Sequence, residues 1–234
     1  MILQECLDKL ARGKLSNLSI CTGGRLKEEH YQKVIDAINE GLTRLHTVLP
    51  LKEKNLILEM TESRTEYPLT SEHSLRKETG DIYDSYDLYI RDTDFYPFED
   101  DIINIIEVWD DLDRKLPIND PDNPLSVFTP EHNTLNVNFT IDGRVLNVIY
   151  KANHKHLTLE NLNSIIDIPV NLEGALLSFV AYLIHEDINT QEAIANSQKY
   201  FAEYQNIINE IIQYCTLGTD KLVSNVKFTK KGWV

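Results

Sequence analysis

The chain has 234 residues, 42% hydrophobic and 26% charged, proportions ordinary for a globular protein with one large core or two smaller ones. No apolar run reaches the ~18 residues that a membrane span needs, so no membrane protein is expected. The N-terminus lacks the pattern of a secretory signal. The three widely spaced cysteines, Cys6, Cys21 and Cys215, predict a reducing compartment and argue against a disulfide framework or a zinc site.

The formal net charge is −14, from 37 acidic and 23 basic residues. Phosphate contacts supply most of the affinity of nucleic-acid readers, so this sign argues against tight DNA binding. The charge is compatible with a surface that DNA passes without sticking, and also with plain solubility.

Two amphipathic helices are predicted near the N-terminus, over residues 2–15 and from about Leu26 to Leu49, where Pro50 ends the second. The apolar stripe of the second helix comprises Tyr31, Val34, Ile35, Ile38, Leu42 and Leu45. Gly41 lies inside that stripe, where glycine costs ~1 kcal/mol relative to alanine. Its presence there predicts a close approach between two helices.

The middle of the chain has the composition of a β-rich module. Strands are predicted over residues 55–61, 101–110, 114–118, 134–141 and 144–152. The second and third of these are expected to pair across the turn at 111–113. Asp142 and Gly143 separate the last two, and Asp-Gly between alternating runs predicts a β-hairpin. Residues 62–80 are polar and aperiodic, which predicts a long loop, whereas the Tyr-rich run 82–90 fits no single state.

The strongest pattern in the chain is a helical hairpin over residues 169–217. Each helix has a stripe of residues at three- and four-residue spacing that is predicted to face the core. In the first helix the stripe is Leu172, Leu176, Phe179, Val180 and Leu183. In the second it is Ala193, Ile194, Ser197, Phe201, Tyr204, Ile208, Ile211 and Cys215. Pro169 suits the first turn of the first helix. Asn189 with Glu192 predicts a capping box for the second helix, and Gly218 marks its end.

Helices, then strands, then helices predict an α+β fold, in which the terminal segments form a discontinuous helical bundle around an inserted antiparallel β-rich module. The predicted bundle comprises residues 1–54 and 157–218, and the insertion comprises 55–156. Residues 219–234 are predicted to form an extended C-terminal arm. A short helical turn is expected within the connection 157–167.

Acidic side chains cluster at Asp92 and Asp94, at 99–101 and at 110–113. Such clusters occur in calcium loops and in hydrolases that use paired carboxylates. The calcium pattern fails, because the sixth position from Asp110 is Lys115 and the twelfth is Pro121. Solvated strand ends explain the clusters, and a glycan-degrading hydrolase remains the alternative.

Other candidate sites are weak. His154 and His156 would share a face on an extended chain, but no cysteine is nearby to complete a metal site. His185 is interpreted as a group that caps the C-terminus of the first hairpin helix. Phosphate-binding loops and nucleophile motifs are missing from the sequence. No catalytic residue, cofactor or metal is therefore expected.

The C-terminal tail is basic although the chain is acidic. It contains Lys221, Lys227, Lys230 and Lys231 and ends on Trp233 and Val234. One interpretation is a frayed end. The other is an arm that docks on an acidic neighbouring surface, with Phe228 and Trp233 as anchors.

Five stretches, taken together and in this order, resemble the head-to-tail adaptor proteins of short-tailed bacteriophages, the connector-ring or tail tubular protein A class. They are LDKLARGKLSNL (7–18), KVIDAINEGLTRLHTVLPLKEKNLILEM (33–60), DIINIIEVWDDLDRKLPIND (101–120), LEGALLSFVAYLIHED (172–187) and the ending KFTKKGWV. The resemblance covers most of the chain outside residues 62–98.

The resemblance implies a ring, usually of twelve copies, beneath the portal protein and above a tail tube or nozzle protein, with DNA passing through it. It implies a virion location at the head–tail interface, reached from the host cytoplasm during assembly, and no catalysis or cofactor. It also implies that the C-terminal segment binds the portal or a neighbouring subunit. The residues that carry this expectation are Lys227, Phe228, Lys230, Lys231, Trp233 and Val234. A further alternative function is that of an acidic inhibitor that mimics DNA. The aromatic-rich helical hairpin argues against it, because such an inhibitor does not need one.

Overall fold

The structure is a computed structural model that describes residues 1–62, 64–75, 88–92, 97–138, 140–188 and 190–214. These ranges contain four α-helices and antiparallel sheets, which confirms the predicted α+β class. The chain divides into two compact units. A helical unit comprises Met1–Pro50 and the described part of His156–Val234, and a β unit comprises Leu51–Lys155. The predicted arm, 219–234, lies outside the described residues.

The helical unit contains α1 (Leu3–Arg12), α2 (Tyr31–Val48), α3 (Glu173–Glu186) and α4 (Gln191–Tyr214), with a two-stranded ribbon of β1 (Cys21–Thr22) and β2 (Arg25–Leu26). Gly23 and Gly24 both have positive φ and form the tight turn of this ribbon. The second helix starts later than predicted, because Leu26 belongs to β2 and a 3₁₀ turn, Glu28–His30, precedes α2. Pro169 likewise precedes a 3₁₀ turn, Val170–Leu172, that leads into α3.

The predicted stripe of α2 is confirmed at its central positions, where Val34, Ile35, Ile38, Leu42 and Leu45 are buried. Tyr31, at the start of the helix, is only half-buried. Periodicity therefore identified the core-facing side of α2 but not how far burial extends at its end.

The hairpin of α3 and α4 packs through a cluster of aromatic rings. The ring of Phe179 lies 5.0 Å from that of Tyr204 and 5.7 Å from that of Tyr182, and Tyr182 lies 4.9 Å from Phe201. These are tilted arrangements, which aromatic quadrupoles favour. Burial differs from the prediction at Ile194, which is 50% exposed. Ile194 fits the spacing of the stripe, but the structure leaves half of its side chain exposed.

The start of α4 is capped one residue later than predicted. The side-chain oxygen of Thr190 accepts a hydrogen bond of 3.2 Å from the Ala193 N–H, the contact of an N-cap residue. Asn189, the predicted cap, lies outside the described residues, as do Cys215 and Gly218.

Gly41 lies where α2 meets α3, as its place in the stripe predicted. A Cβ atom there would come within 2.8 Å of Leu176 Cδ1 and 3.2 Å of Phe179 Cδ1. The missing side chain therefore permits the two helices to approach closely, which outweighs the poor helix propensity of glycine.

We expect two glycine-to-alanine changes to have opposite effects on stability. Gly41→Ala gains ~1 kcal/mol of helix propensity but overpacks a buried contact, which typically costs ~1–3 kcal/mol, so it should destabilise. Gly174→Ala in α3 is the matched control, since its Cβ would lie 3.5 Å from Ile207 Cδ1, an ordinary contact. It should stabilise by about 0.4–1 kcal/mol. Denaturant unfolding measures both changes, and equal effects would contradict the close approach.

The β unit contains two antiparallel sheets. One has the order β5–β3–β10–β6–β7 and the other the order β4–β9–β8. The strands are β3 (Glu53–Glu59), β4 (Glu66–Pro68), β5 (Ile90–Arg91), β6 (Ile102–Asp110), β7 (Lys115–Leu116), β8 (Val127–Phe128), β9 (Thr134–Val137) and β10 (Val145–Ala152). Their inward residues form one core, in which Tyr67, Tyr89 and Tyr150 are fully buried. The predicted pairing of β6 with β7 is confirmed by the register Val108–Leu116.

The predicted hairpin of 134–141 with 144–152 is wrong. β9 pairs with β4 and β8, whereas β10 pairs with β3 and β6, so the two strands belong to different sheets. The Asp-Gly turn itself is present. Gly143 has φ +70°, and the Arg144 N–H donates to the Ile141 carbonyl. The Gly143 N–H donates to the carbonyl oxygen of Met60, the residue that follows β3. This hydrogen bond places the start of β10 beside β3, a strand distant in sequence.

Two further expectations in loops are corrected. Residues 62–80, predicted as a loop, include β4 and a 3₁₀ turn, Ser71–His73, because buried Tyr67 pairs with Leu135 of β9. The connection 157–167 has hydrogen-bonded turns in place of the predicted helical turn, and it returns to the N-terminus through a bridge between Ile165 and Ile2. In the Tyr-rich run, Tyr89 and Ile90 are buried, and residues 82–87 lie outside the described ranges.

Candidate assembly surfaces

The six residues predicted to bind a partner all lie outside the described residues. They are Lys227, Phe228, Lys230, Lys231, Trp233 and Val234. Their charge can still be compared with that of the folded units. Residues 215–234 have four basic side chains and one acidic, whereas the β unit has 22 acidic and 11 basic. The segment and the β unit are therefore opposite in sign.

The loop after α1 is held by the α3–α4 hairpin through Lys14. Its carbonyl oxygen lies 3.3 Å from His185 Nε2 and accepts a hydrogen bond of 3.3 Å from the Tyr200 hydroxyl. Its ammonium group pairs with Glu203 at 2.6 Å. These contacts connect the loop after α1 with a hairpin that is far away in sequence, and no local pattern in the sequence indicated them.

His185, predicted as a group that caps the C-terminus of the first hairpin helix, lies in the last turn of α3. Its side chain is buried, with its ring 5.3 Å from that of Tyr200, and Nε2 approaches Lys14 of another segment. His185 therefore belongs to the contact between the hairpin and the loop after α1.

A second contact that sequence reasoning missed joins α2 to the returning chain. The Asn39 side chain donates to the Leu157 carbonyl and accepts from the Leu157 N–H, both at 2.9 Å. An asparagine at the edge of a helix stripe is ordinary, so only the tertiary structure identifies this one as a backbone clamp.

Asp110 is a carboxylate whose contacts are structural. Oδ2 pairs with Arg114 at 2.7 Å and with Arg144 at 2.9 Å, and Oδ1 accepts from the N–H groups of Leu112 and Arg114. Burial acts to raise the pKa of Asp110, but the hydrogen bonds from Arg114 and Leu112 outweigh it and lower the pKa on balance. The charged form thus holds the turn between β6 and β7.

The acidic cluster at 99–101 forms ion pairs with a lysine. Lys54 pairs with Asp101 at 2.7 Å and with Glu99 at 2.9 Å, and the Tyr150 hydroxyl donates to Asp101 at 3.1 Å. The hydrogen bond from Lys54 lowers the pKa of Glu99. Burial alone would lower the pKa of Lys54, but its bonds to Asp101 and Glu99 raise it. Burial, followed by the charge of Asp101, raises the pKa of Tyr150.

Asp92 completes the predicted acidic clusters, with Asp94 outside the described residues. Its carboxylate accepts hydrogen bonds from the Ser74 hydroxyl and from the Phe98 N–H, the latter at 3.0 Å. Each described cluster therefore contains a carboxylate that connects separate segments of the β unit. These contacts give the three carboxylates structural roles in the β unit.

A cavity of about 830 Å³ opens on the β unit beside β3 and β5. Its lining includes Lys54, Arg91, Phe98, Glu99 and Ile149. Lys54 is paired with Glu99 and Asp101, and Arg91 is paired with Glu59. The charges at its edge therefore neutralise one another, and the cavity has no dominant sign to select a ligand.

The two histidines considered for a metal site, His154 and His156, each lie close to a group of the protein. Within the ranges that the structure covers, no three His, Cys, Asp or Glu side chains converge as metal ligands. His154 Nδ1 lies 2.6 Å from the Lys155 carbonyl, and His156 Nε2 lies 3.5 Å from Asn39 Nδ2. Burial raises the pKa of the Cys6 thiol to about 12, which keeps it neutral.

Comparison with family models and with curated proteins gave no match to this chain. Among the described helices, none is both long enough and apolar enough to cross a membrane.

Proposed function

We propose that the protein is a structural component of a short-tailed bacteriophage particle, a head-to-tail adaptor that forms a dodecameric ring beneath the portal protein. The ring joins the portal to a tail tube or nozzle protein and lines the conduit through which DNA passes. In this proposal the protein is located at the head–tail interface of the virion, and it passes through the host cytoplasm during assembly.

The observation that carries the proposal is the helical unit. Four helices from the two ends of the chain pack together, and the β unit is inserted between them in sequence. The phrases shared with the adaptor class fall on these elements: residues 33–60 span α2 and β3, and residues 172–187 span α3. Sequence resemblance and architecture thus support the same class of protein.

Charge also supports the proposal. The β unit has twice as many acidic as basic residues, and a conduit for DNA needs walls that repel phosphate. The basic tail has the sign required to bind an acidic neighbour, which is the role proposed for Lys227, Lys230 and Lys231. The proposal assigns no catalysis and no cofactor, and the contacts of Asp101 and Asp110 give the hydrolase alternative no specific support.

We expect the purified chain to be largely monomeric at low salt and to form rings when its portal is present. Copies of net charge −14 repel one another, and contacts with a template offset that repulsion. Negative-stain microscopy and sedimentation velocity, with and without portal, measure the outcome at several salt concentrations. The electrostatic repulsion weakens as the screening length falls to ~8 Å at physiological ionic strength.

Two results would contradict this account. Rings that form at low salt without portal and disperse at high salt would show that charge promotes assembly. If portal never recruits the chain, the proposed function itself is wrong.

A further inference from the structure

The longest helix of the described chain, α4, has an exposed side without charged residues. At 3.6 residues per turn, eleven positions of α4 fall within an arc of about 140°. We call this side the α4 flank; its residues are Gln191, Ile194, Ala195, Gln198, Phe201, Ala202, Gln205, Asn206, Asn209, Ile212 and Gln213. Ten are exposed and Phe201 is half-buried. Ile194 and Ile212, five turns apart at the two ends, are 50% and 54% exposed.

The charged residues of α4 lie together on another side. Glu192, Lys199, Glu203 and Glu210 fall within an arc of about 40°, next to the α4 flank. The face buried against the rest of the unit, which includes Ala193, Tyr204 and Ile211, lies on the opposite edge of the flank. A helix side that only meets water normally carries charged or polar residues, and the flank has polar amides but no charge. Depletion of charge together with exposed isoleucine is instead typical of the centre of a protein–protein interface.

We propose that the α4 flank is where one copy of this chain packs against a second copy. A copy brings a net charge of −14 to any contact, and like charges brought together across an interface are costly. The flank brings no charged side chain of α4 into such a contact, whereas the side of α4 that carries Glu192, Glu203 and Glu210 would set acidic groups against an acidic partner. A basic protein would instead select a surface of Asp and Glu. The inference rests on the proposed function for the statement that copies assemble into a ring.

The size of the α4 flank predicts a weak contact. A helix of 24 residues is ~36 Å long, and with a width of ~10 Å the flank offers ~360 Å² per copy. A stable interface usually buries ~800 Å² per partner. Association through the flank alone should therefore appear only at high protein concentration, and more readily when salt screens the repulsion between acidic copies. This explains why a template would be needed to complete a ring.

Sedimentation velocity of the full chain, over a rising concentration series in high salt, tests the proposal. Wild type should self-associate. Ala202→Glu places a larger, charged group at the middle of the α4 flank and should reduce the association constant by about tenfold or more. Lys199→Gln is the matched control, because it changes the net charge by the same amount on the charged side of the same helix. It should associate as wild type does.

A second variant keeps the test independent of charge. Ile194→Gln with Ile212→Gln removes the exposed apolar groups and should also weaken association, while thermal unfolding checks that each variant remains folded. A wild-type chain that stays monomeric throughout, or an Ala202→Glu chain that associates as wild type does, overturns the proposal. The two failures are separable. If Ala202→Glu still forms rings on the portal, the flank is wrong and the adaptor function stands. If wild type associates through the flank but never binds portal, the adaptor function is wrong and the flank contact stands.

Discussion

Replacing Phe179 by alanine is expected to lower the free energy of unfolding of the helical unit by about 3–5 kcal/mol. The side chain is 6% exposed and lies between the rings of Tyr182 and Tyr204. Its Cδ1 atom also fills the space in front of Gly41, so truncation would open a cavity where three helices meet. The surrounding backbone is regular helix, which can collapse into the cavity only in part.

Denaturant unfolding followed by circular dichroism measures this change. Ile194→Ala is the matched control, since Ile194 belongs to the same hairpin but is 50% exposed. A surface change of this kind should stay within about 0.5 kcal/mol. Equal, small effects for the two variants would show that the aromatic cluster does not hold the unit together.

Removing residues 225–234 is expected to abolish mounting on the portal while leaving the melting temperature of the chain nearly unchanged. The removed segment contains three of the four tail lysines and the only tail aromatics, Phe228 and Trp233. The lysines would steer the segment towards acidic groups, and the aromatic side chains would supply the apolar anchors. Trp233→Ala alone should weaken binding by ~2 kcal/mol or more, the effect of losing a hot spot.

Charge-matched variants separate the tail from general electrostatics. Lys230→Gln and Lys27→Gln each remove one positive charge, the first from the tail and the second from an exposed position before α2. Only the first should weaken binding to portal and reduce its salt dependence. A truncated chain that mounts with full affinity would show that the tail is only a frayed end.

The α4 flank illustrates how far the candidate site could be predicted. Its lack of charge is present in the sequence, since it needs only the residue types and the helical repeat. Its exposure is not, because which arc of α4 is buried depends on the packing of the helices, which buries Tyr204, Ile208 and Ile211. Ile194 shows the difference, since its spacing places it on the stripe, whereas the structure places it on the exposed flank. The tail residues, by contrast, remain a prediction from the sequence alone.

The amino-acid sequence by itself determined what depends on neighbours along the chain. The spacing of hydrophobic residues predicted the helices, and Gly41 predicted that α2 would approach another helix closely. The acidic turn after Asp110 predicted the pairing of β6 with β7. Only the tertiary structure decided which distant segments meet. The Asp-Gly turn formed as its residues require, yet β9 and β10 joined different sheets, and His185 packs against Lys14. A turn depends on the torsion angles of two residues, whereas the partner of a strand or a buried ring depends on competition among segments far apart in the chain.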